Sequence, residues 1–330
     1  MTFFVHVNYP VLRFVSASVC LTFALIVSHQ SNADDKLASA KPVPQMQVLP
    51  IPYDQASVTR NGKEITRYHF GQSLERPFLY PVIGPSGRSL TRMGHPHDPN
   101  GHSHHNSVWV THHIVNGVNF WGDAGTGKIR QQWVHRYEDS DELAMIETKN
   151  HWIDTAKDQI LLEERRTMQF LPLEKQQWML VLQIEFTAMQ PKVTFEDTAF
   201  GLTGVRMAKT IGVHDGGGII RNSEGQVNEK QVFRKPAKWV DYSGPIAPGV
   251  IEGITLMDHP SNINHPTSFH VRGDGWMGTC LSFEKPIELN KGESLTLIYG
   301  LYIHSGLPGL QDINTQYEQF SKMKAVPPKK

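Results

Sequence analysis

The sequence predicts an all-β protein that forms a single antiparallel β-sandwich with a short C-terminal helix. Short stretches rich in aromatic and β-branched residues recur along the chain, and turn signals such as Asn61-Gly62 separate them. Strand and helix patterns do not alternate as they do in parallel βαβ units. A repeat of fixed period is also missing from the sequence, which argues against a propeller.

The strand-forming stretches follow one another in order. Most of them alternate apolar and polar residues with a period of two, whereas residues 310–324 have a helical period. We expect one domain over residues 56–330, either mutarotase-like or jelly-roll-like, with that helix near its end. The expected strands cover residues 63–70, 76–82, 127–134, 142–154, 160–171, 178–188, 193–197, 251–257, 268–271, 277–284 and 294–304.

The N-terminal segment predicts export. Residues 14–27 form an apolar run after Arg13, and Ser31-Asn32-Ala33 follows as a cleavage signal. We expect a signal peptide over residues 1–33 and a secreted or periplasmic protein. A retained anchor helix is the alternative, although this run is shorter than the roughly 20 residues that span a bilayer. The polar, proline-containing residues 34–55 predict a flexible leader or a strand-edge arm.

Charge and cysteine content exclude several classes of partner. Lysine plus arginine and aspartate plus glutamate number 32 each, without a basic block. We therefore expect no nucleic-acid partner, and no membrane span in the mature chain. Cleavage after residue 33 leaves Cys280 as the sole cysteine, which predicts a reduced, buried strand residue outside the catalytic site.

Residues 94–113 (GHPHDPNGHSHHNSVWVTHH) concentrate histidines, whose imidazoles bind metals and exchange protons near neutral pH. In an extended segment His102 and His104 share one face and His105 points to the other. The spacing to His112 suits three metal ligands on adjacent strands. We therefore assign His102, His104 and His112 to a divalent metal and His105 to a catalytic role. The alternative is a solvated loop whose histidines only form hydrogen bonds with the backbone.

A second histidine group lies at residues 258–270 (DHPSNINHPTSFH). The proline after His259 and the proline after His265 favour extended backbone at both histidines, and His270 follows on a strand. We expect these three histidines to act in catalysis. The alternative is that the Asp, Asn and Pro residues serve only to shape turns.

Between the two groups, polar and aromatic residues suggest a site for a sugar or a carboxylate. Arg206 and Lys209 lie on an expected strand within residues 201–209, and Asp241 stands in the segment WVDYSG. Fork-like donors and aromatic faces suit such ligands. We include these three residues among the catalytic candidates.

Five segments together resemble a family of secreted bacterial proteins that carries the name methane oxygenase PmoA. The resemblance spans residues 76–302, and its pieces are RPFLYPVIGPSG, the histidine block with NGVNFW, IIRNSEG, WVDYSG and DHPSNINHPTSFHVR. It implies a β-sandwich of uncharacterised function. A membrane oxygenase of that name is a bundle of spanning helices of about 20 apolar residues each, and this chain has one apolar run.

The chain departs from the family pattern in its histidine block. The family has D-H-P-H-H-R-S-L-W where this chain has GHSHHNSVW, so the three histidines remain and Asn106 replaces the arginine. His112 also matches, whereas Ile114 stands at an acidic position. His95 and His97 lie outside the match. If the missing groups position a substrate, we expect shifted specificity or reduced activity.

These observations favour a carbohydrate-active enzyme of lyase, hydrolase or epimerase type. A histidine would accept a proton or hold a metal, and Arg206 or Lys209 would stabilise negative charge on a small-molecule or oligosaccharide ligand. The alternative is a non-catalytic carbohydrate-binding or surface-interaction protein with a structural histidine cluster. An enzyme should gather the histidines around one cavity with Arg206 or Asp241.

Overall fold

The computed structural model describes residues 41–94 and 102–328 of the chain, and residues 43–328 of that part belong to one compact unit. All pairings between its strands are antiparallel. The strands are β1 (Met46–Ile51), β2 (Gln55–Arg60), β3 (Lys63–His69), β4 (Phe78–Val82), β5 (Val108–His112), β6 (Ile114–Val115), β7 (Val118–Asn119), β8 (Gly127–Asp139), β9 (Ala144–Asp154), β10 (Gln159–Pro172), β11 (Trp178–Ala188), β12 (Lys192–Phe195), β13 (Gly201–Arg206), β14 (Ile219–Asn222), β15 (Lys235–Pro236), β16 (Trp239–Ala247), β17 (Val250–Asp258), β18 (Ser268–Arg272), β19 (Trp276–Cys280), β20 (Ile287–Asn290) and β21 (Ser294–Ser305).

Helices are few and short in the described part of the chain. Two 3-10 turns cover Glu174–Gln176 and Lys209–Ile211. The α-helices are α1 (Val213–Gly216), α2 (Asn228–Val232) and α3 (Leu310–Phe320). None of these helices is long and apolar enough to span a membrane. The predicted C-terminal helix is confirmed as α3.

The described strands form three sheets. A nine-stranded sheet has the order β1-β2-β3-β4-β5-β13-β19-β18-β15, and an eight-stranded sheet has the order β14-β16-β17-β21-β11-β10-β9-β8. A four-stranded sheet has the order β20-β12-β6-β7. One large buried apolar cluster takes residues from all three sheets, so these sheets share a core. The opposite face of the eight-stranded sheet carries α3 on a second cluster, which includes Ile313, Tyr317 and Phe320.

The prediction of a mostly β protein is confirmed, but the prediction of a single sandwich is wrong because the third sheet is present. Its strands β6 and β7 have two residues each, too short to show a period in the sequence.

At the start of the described chain, residues 46–51 match the expected strand-edge arm rather than a flexible leader. Met46–Ile51, inside the segment 34–55, pairs in register with β2 as the edge strand of the nine-stranded sheet. The segment is therefore not flexible throughout. The predicted signal peptide, together with His95 and His97, lies outside the described residues.

Candidate functional site

The candidate site lies on the face of the nine-stranded sheet that points away from the shared core. Side chains alternate between the two faces of a strand. Val108 and Val110 of β5 belong to the shared core, whereas Trp109 belongs to a separate aromatic cluster. On β18, Phe269 points to the core and His270 follows it with the opposite orientation.

A row of residues across this face sets the shape of the site. The register aligns Trp109 of β5 with Gly204 of β13, Gly204 with Gly278 of β19, and Gly278 with His270 of β18. The two glycines leave a trough between the two larger side chains. The indole of Trp276 fills it: a Cβ on Gly204 would lie 2.8 Å from this ring, and a Cβ on Gly278 would lie 2.5 Å from it.

The aromatic side chains form one continuous wall. Trp276 stacks on Trp109 with centroids 5.3 Å apart, and Trp121 meets Trp276 edge-on at 5.4 Å. Phe200 packs against Trp121 at 5.4 Å. Flat apolar faces of this kind suit the apolar face of a sugar ring or another planar ligand.

Above this wall the structure has a cavity of about 400 Å³. This volume lies within the roughly 300–1,000 Å³ typical of small-molecule sites. The lining residues are five histidines, three aromatic residues and two charged residues: His102, His104, His105, His113, His270, Trp121, Phe200, Trp276, Arg272 and Asp274.

His105 lies at the centre of the imidazole cluster. Its ring stacks on His102 at 4.6 Å, on Trp109 at 5.2 Å and on Trp276 at 5.1 Å. Burial, with the nearby charges of His104 and other cationic groups, lowers the pKa of His105 far below its ordinary value. The side chain is therefore a neutral imidazole at physiological pH.

Arg76 holds the histidine segment in place. Its guanidinium is almost completely buried and donates hydrogen bonds to the carbonyl of His104 at 3.1 Å and to Oδ1 of Asn106 at 2.7 Å. It also donates to the carbonyls of Phe120 at 3.1 Å and Trp121 at 2.8 Å. One side chain thus ties together the two segments that carry His104 and Trp121. Burial is the main reason that the pKa of Arg76 falls to about 10, so it stays charged.

His104 lines the cavity next to this clamp. Burial is the main cause that lowers the pKa of His104 to about 4. The Asp123 carboxylate opposes this shift, and the charge of Arg76 adds to it. A neutral His104 can accept or donate one hydrogen bond toward a ligand.

Arg206 stands behind the cavity and positions two of its polar groups. The buried guanidinium lies 3.0 Å from Oδ1 of Asp274, and its other nitrogen lies 3.4 Å from Nδ1 of His102. The same Nδ1 lies 3.5 Å from Oδ2 of Asp274. His102, Asp274 and Arg206 therefore form one polar cluster. Arg206, an expected catalytic residue, contacts two side chains that line the cavity but is not itself among the lining residues.

His270 has the most defined tautomer of the cavity histidines. Its Nδ1 lies 3.3 Å from the carbonyl of Ala199, which can only accept, so Nδ1 carries the proton. Nε2 is then the unprotonated nitrogen of a residue that lines the cavity. Burial is the main cause that lowers the pKa of His270 to about 4, which keeps Nε2 available as a proton acceptor.

The structure places His112 away from the cavity that His102 and His104 line. His112 shares the face of Val108 and Val110, so it enters the core on the side opposite Trp109. Its Nδ1 lies 3.0 Å from the carbonyl of Ile114 and its Nε2 lies 2.8 Å from the hydroxyl of Ser282. Both ring nitrogens are therefore engaged by the protein. In the described residues, no group of three or more His, Cys, Asp or Glu side chains is arranged to hold a metal.

Asp241, an expected catalytic residue, also lies away from this cavity. It is fully buried on the eight-stranded sheet and accepts hydrogen bonds from Arg221 at 2.6 Å, Ser243 at 2.9 Å and Thr255 at 3.1 Å. Nε2 of His304 lies 2.9 Å away. Burial raises the pKa of Asp241, but His304 and Arg221 overcome this effect and lower it. The network is structural.

The remaining predicted residues are likewise outside the site. His265 pairs with the buried Asp258 at 2.7 Å, and its Nε2 lies 3.5 Å from the hydroxyl of Tyr317 in α3. The ring of His259 packs edge-on against Phe320 of α3 at 5.3 Å. Both histidines therefore support the packing of the C-terminal helix. Lys209 lies in an exposed 3-10 turn next to a separate groove.

Several site residues escaped the sequence analysis, among them Trp276 and Asp274. Both stand in the segment RGDGW (272–276), a glycine-flanked turn directly after the strand of His270. An acidic residue and a tryptophan in a turn directly after the strand that carries His270 could have indicated these two site residues. Arg76, at the start of RPFLYPV, gave no signal beyond its place in the resemblance.

Comparison with known protein families matches most of the chain, including the residues of this cavity. A family model described as a family of unknown function (DUF6807) matches residues 55–318. The chain belongs to this family. This membership agrees with the expectation of a family of uncharacterised function over most of the chain. It gives no support to the name methane oxygenase PmoA. No curated protein matches this DUF6807 member.

Two solved structures illustrate the structural similarity. A heparan sulfate lyase HepC mutant from Pedobacter heparinus aligns at 10% identity and TM-score 0.40, over 82% of this chain and 38% of that one. A GalM/aldose epimerase homologue from C. elegans aligns at 9% identity and TM-score 0.36, over 79% of this chain and 99% of that one. This chain thus spans less than half of the lyase. At these TM-scores the similarity establishes neither a shared fold nor a shared function.

Proposed function

We propose that this DUF6807 protein is a secreted or periplasmic carbohydrate-active enzyme, and that the cavity of histidines and tryptophans is its active site. The observation that carries the proposal is the orientation of His270, which the Ala199 carbonyl fixes with Nε2 as the unprotonated nitrogen. A base held in one tautomer beside an aromatic wall suits proton transfer on a bound sugar.

The wall explains binding of the ligand. The indoles of Trp121 and Trp276 offer apolar area, and the imidazoles of His102 and His104 offer hydrogen bonds to hydroxyl groups at the cavity lining. Lyases, hydrolases and epimerases share a step in which a base accepts a proton from substrate or water. His270 supplies that base, and Arg206 acts through Asp274 and His102 as a positioning residue.

A non-catalytic carbohydrate-binding protein is the second candidate. One specific observation favours it. The Nδ1 of His270 faces a backbone carbonyl, and no carboxylate at that position increases the basicity of Nε2. In that case the aromatic wall would bind a sugar without turnover.

Turnover assays separate the two candidates. Purified protein is incubated with a panel of mono- and oligosaccharides, including uronic acids and oxidised sugars, and products are followed by mass spectrometry and NMR. We expect His270→Gln to lose at least about 100-fold in turnover while ligand binding persists. The control His135→Gln alters an exposed histidine and should keep wild-type activity. Binding without turnover in the wild type would support the binding protein instead.

Export is a separate part of the proposal. It is supported by the apolar residues 14–27 and the Ser31-Asn32-Ala33 signal. Intact-mass measurement on protein from the envelope fraction should show Asp34 as the first residue. The same preparation is used to measure metal content, because His102 and His104 remain candidate ligands of a divalent metal. A retained N-terminus would contradict the export of a cleaved chain.

A further inference from the structure

The cavity does not end at its aromatic wall. A second compartment of about 470 Å³ is lined by His102, Arg272 and Asp274, which also line the first, together with His214 and Glu229. Because three residues line both compartments, the two are direct neighbours beside the turn between β18 and β19.

The two compartments differ in chemistry. The first has the aromatic wall of Trp121, Phe200 and Trp276, whereas the second contains no aromatic ring apart from imidazoles among its lining residues. Its lining consists of two carboxylates, one guanidinium and two imidazoles. Carboxylates and guanidinium groups form the charge-assisted hydrogen bonds by which proteins recognise hydroxyl-rich ligands.

The second compartment is built into the fold. Glu229 of α2 accepts a hydrogen bond from the backbone amide of Gly273 at 2.8 Å and pairs with Arg272 at 2.6 Å. On the other side, the backbone amide of His214 in α1 donates to the carbonyl of Gly273 at 2.9 Å. Hydrogen bonds with both helices therefore fix the turn at Gly273. The second compartment is formed before a ligand binds, so binding does not require the turn to become ordered.

We infer that the site takes a carbohydrate of at least two sugar units, with one ring on the aromatic wall and the next in the polar compartment between His214 and Glu229. This inference rests on the proposed function, because it assigns the length of the ligand bound by that same site. Solvent reaches the second compartment, since about half of the Arg272 side chain and nearly a third of the Glu229 side chain are exposed. A longer chain can extend from that end.

The experiment compares ligands of different length on the full chain. An array of mono-, di- and trisaccharides built from hexoses, hexosamines and uronic acids identifies the preferred sugar unit. Isothermal titration calorimetry then measures that unit as the monosaccharide and as the disaccharide. We expect the disaccharide to bind at least about tenfold more tightly, the factor that one or two additional hydrogen bonds supply.

Variants place the second unit. His214→Ala should remove most of the advantage of the disaccharide and leave the affinity for the monosaccharide unchanged. Glu229→Gln should weaken both ligands, because Glu229 also holds the turn that leads to Asp274 and Trp276. The control Lys230→Ala changes an exposed residue of the same helix and should bind as the wild type does. Trp276→Ala should weaken both ligands.

The outcomes separate this inference from the proposed function. Equal affinity for mono- and disaccharide, or no effect of His214→Ala on either, overturns the two-unit site while the carbohydrate function stands. Binding of no sugar on the array contradicts the proposed function and the inference with it.

Discussion

Trp109 and Trp276 stack with ring centroids 5.3 Å apart, although strand β13 lies between their strands. The contact is possible because Gly204, which pairs with Trp109, has no side chain; a Cβ there would lie within 3 Å of both rings. The aromatic wall of the site thus depends on a missing side chain as much as on the two indoles.

Gly204→Ala tests this dependence. The new Cβ would lie 2.8 Å from the Trp276 ring and 2.9 Å from the Trp109 ring, so both indoles must shift. We expect a loss of about 1–3 kcal/mol in the free energy of unfolding, as overpacking typically costs, together with weaker sugar binding. Urea unfolding measures the first effect and calorimetry the second. Gly71→Ala is the control, since its nearest neighbours lie 4.0 Å away; equal stability of both variants would show that the wall tolerates a side chain here.

Arg76→Met tests the clamp between the two loops of the site. The substitution removes four hydrogen bonds and leaves the carbonyls of His104 and Trp121 without this donor, whereas the Phe120 carbonyl keeps its bond from the Thr111 hydroxyl. We expect a loss of at least about 3 kcal/mol in the free energy of unfolding. Arg76→Lys keeps the charge but cannot reach four acceptors, and should retain the fold while lowering affinity for the sugar. Arg67→Met breaks a surface pair with Glu64 and should cost less than about 1 kcal/mol.

The sequence predicted the long strands well because their side chains alternate over many residues. The expected strand at residues 178–188 coincides with β11, and the one at 294–304 with β21 apart from one residue. The small sheet was predicted only in part: the expected strand at residues 193–197 overlaps β12, whereas strands of two residues, such as Ile114–Val115, show no period. Their pairing is decided by distant parts of the chain.

The site was predicted in part. His102, His104, His105 and His270 line one cavity, as expected for a shared site. His112 was expected on a strand adjacent to His102 and His104 with its ring on the same side, whereas the alternation along β5, which begins at Val108, turns His112 into the core. Asp241, His259 and His265 are equally polar in sequence, but they lie on the other large sheet or at its helix.

His112→Ala should separate a core histidine from a site histidine. The variant removes the contacts with the Ile114 carbonyl and the Ser282 hydroxyl and leaves a cavity in the core, so we expect a loss of roughly 2–4 kcal/mol in the free energy of unfolding. Sugar affinity and metal content of the folded fraction should match those of the wild type. Loss of a bound metal in a variant that remains folded would restore His112 as a ligand.

Asp241→Ala should act on stability alone. Without this carboxylate, Arg221 and His304 lose their buried partner, and we expect a loss of about 3–5 kcal/mol in the free energy of unfolding. The exposed Asp215 offers a matched control, whose alanine variant should change stability by less than about 0.5 kcal/mol. Turnover per folded molecule should be unchanged in both variants, and its selective loss in Asp241→Ala would contradict a purely structural role.

The pH dependence of the site should follow His270. Burial lowers its pKa to about 4; the Ala199 carbonyl and Glu229 oppose this shift, whereas Arg272 and Arg234 reinforce it. An unfolded histidine has a pKa of about 6.5. The stability contributed by neutral His270 is therefore complete above about pH 6.5 and is lost as the pH falls toward 4.

Activity should show the same low acidic limit. If neutral Nε2 accepts the proton, kcat/KM should stay level from pH 8 down to about 5 and fall near pH 4, rather than near the ordinary 6.5. Arg272→Gln removes a charge that lowers this pKa, so the acidic limit should move upward. NMR titration of the His270 ring, assigned by its absence in His270→Gln, measures the pKa without a substrate. A ring that titrates near 6.5 in the wild type would contradict its burial and its role as the neutral base.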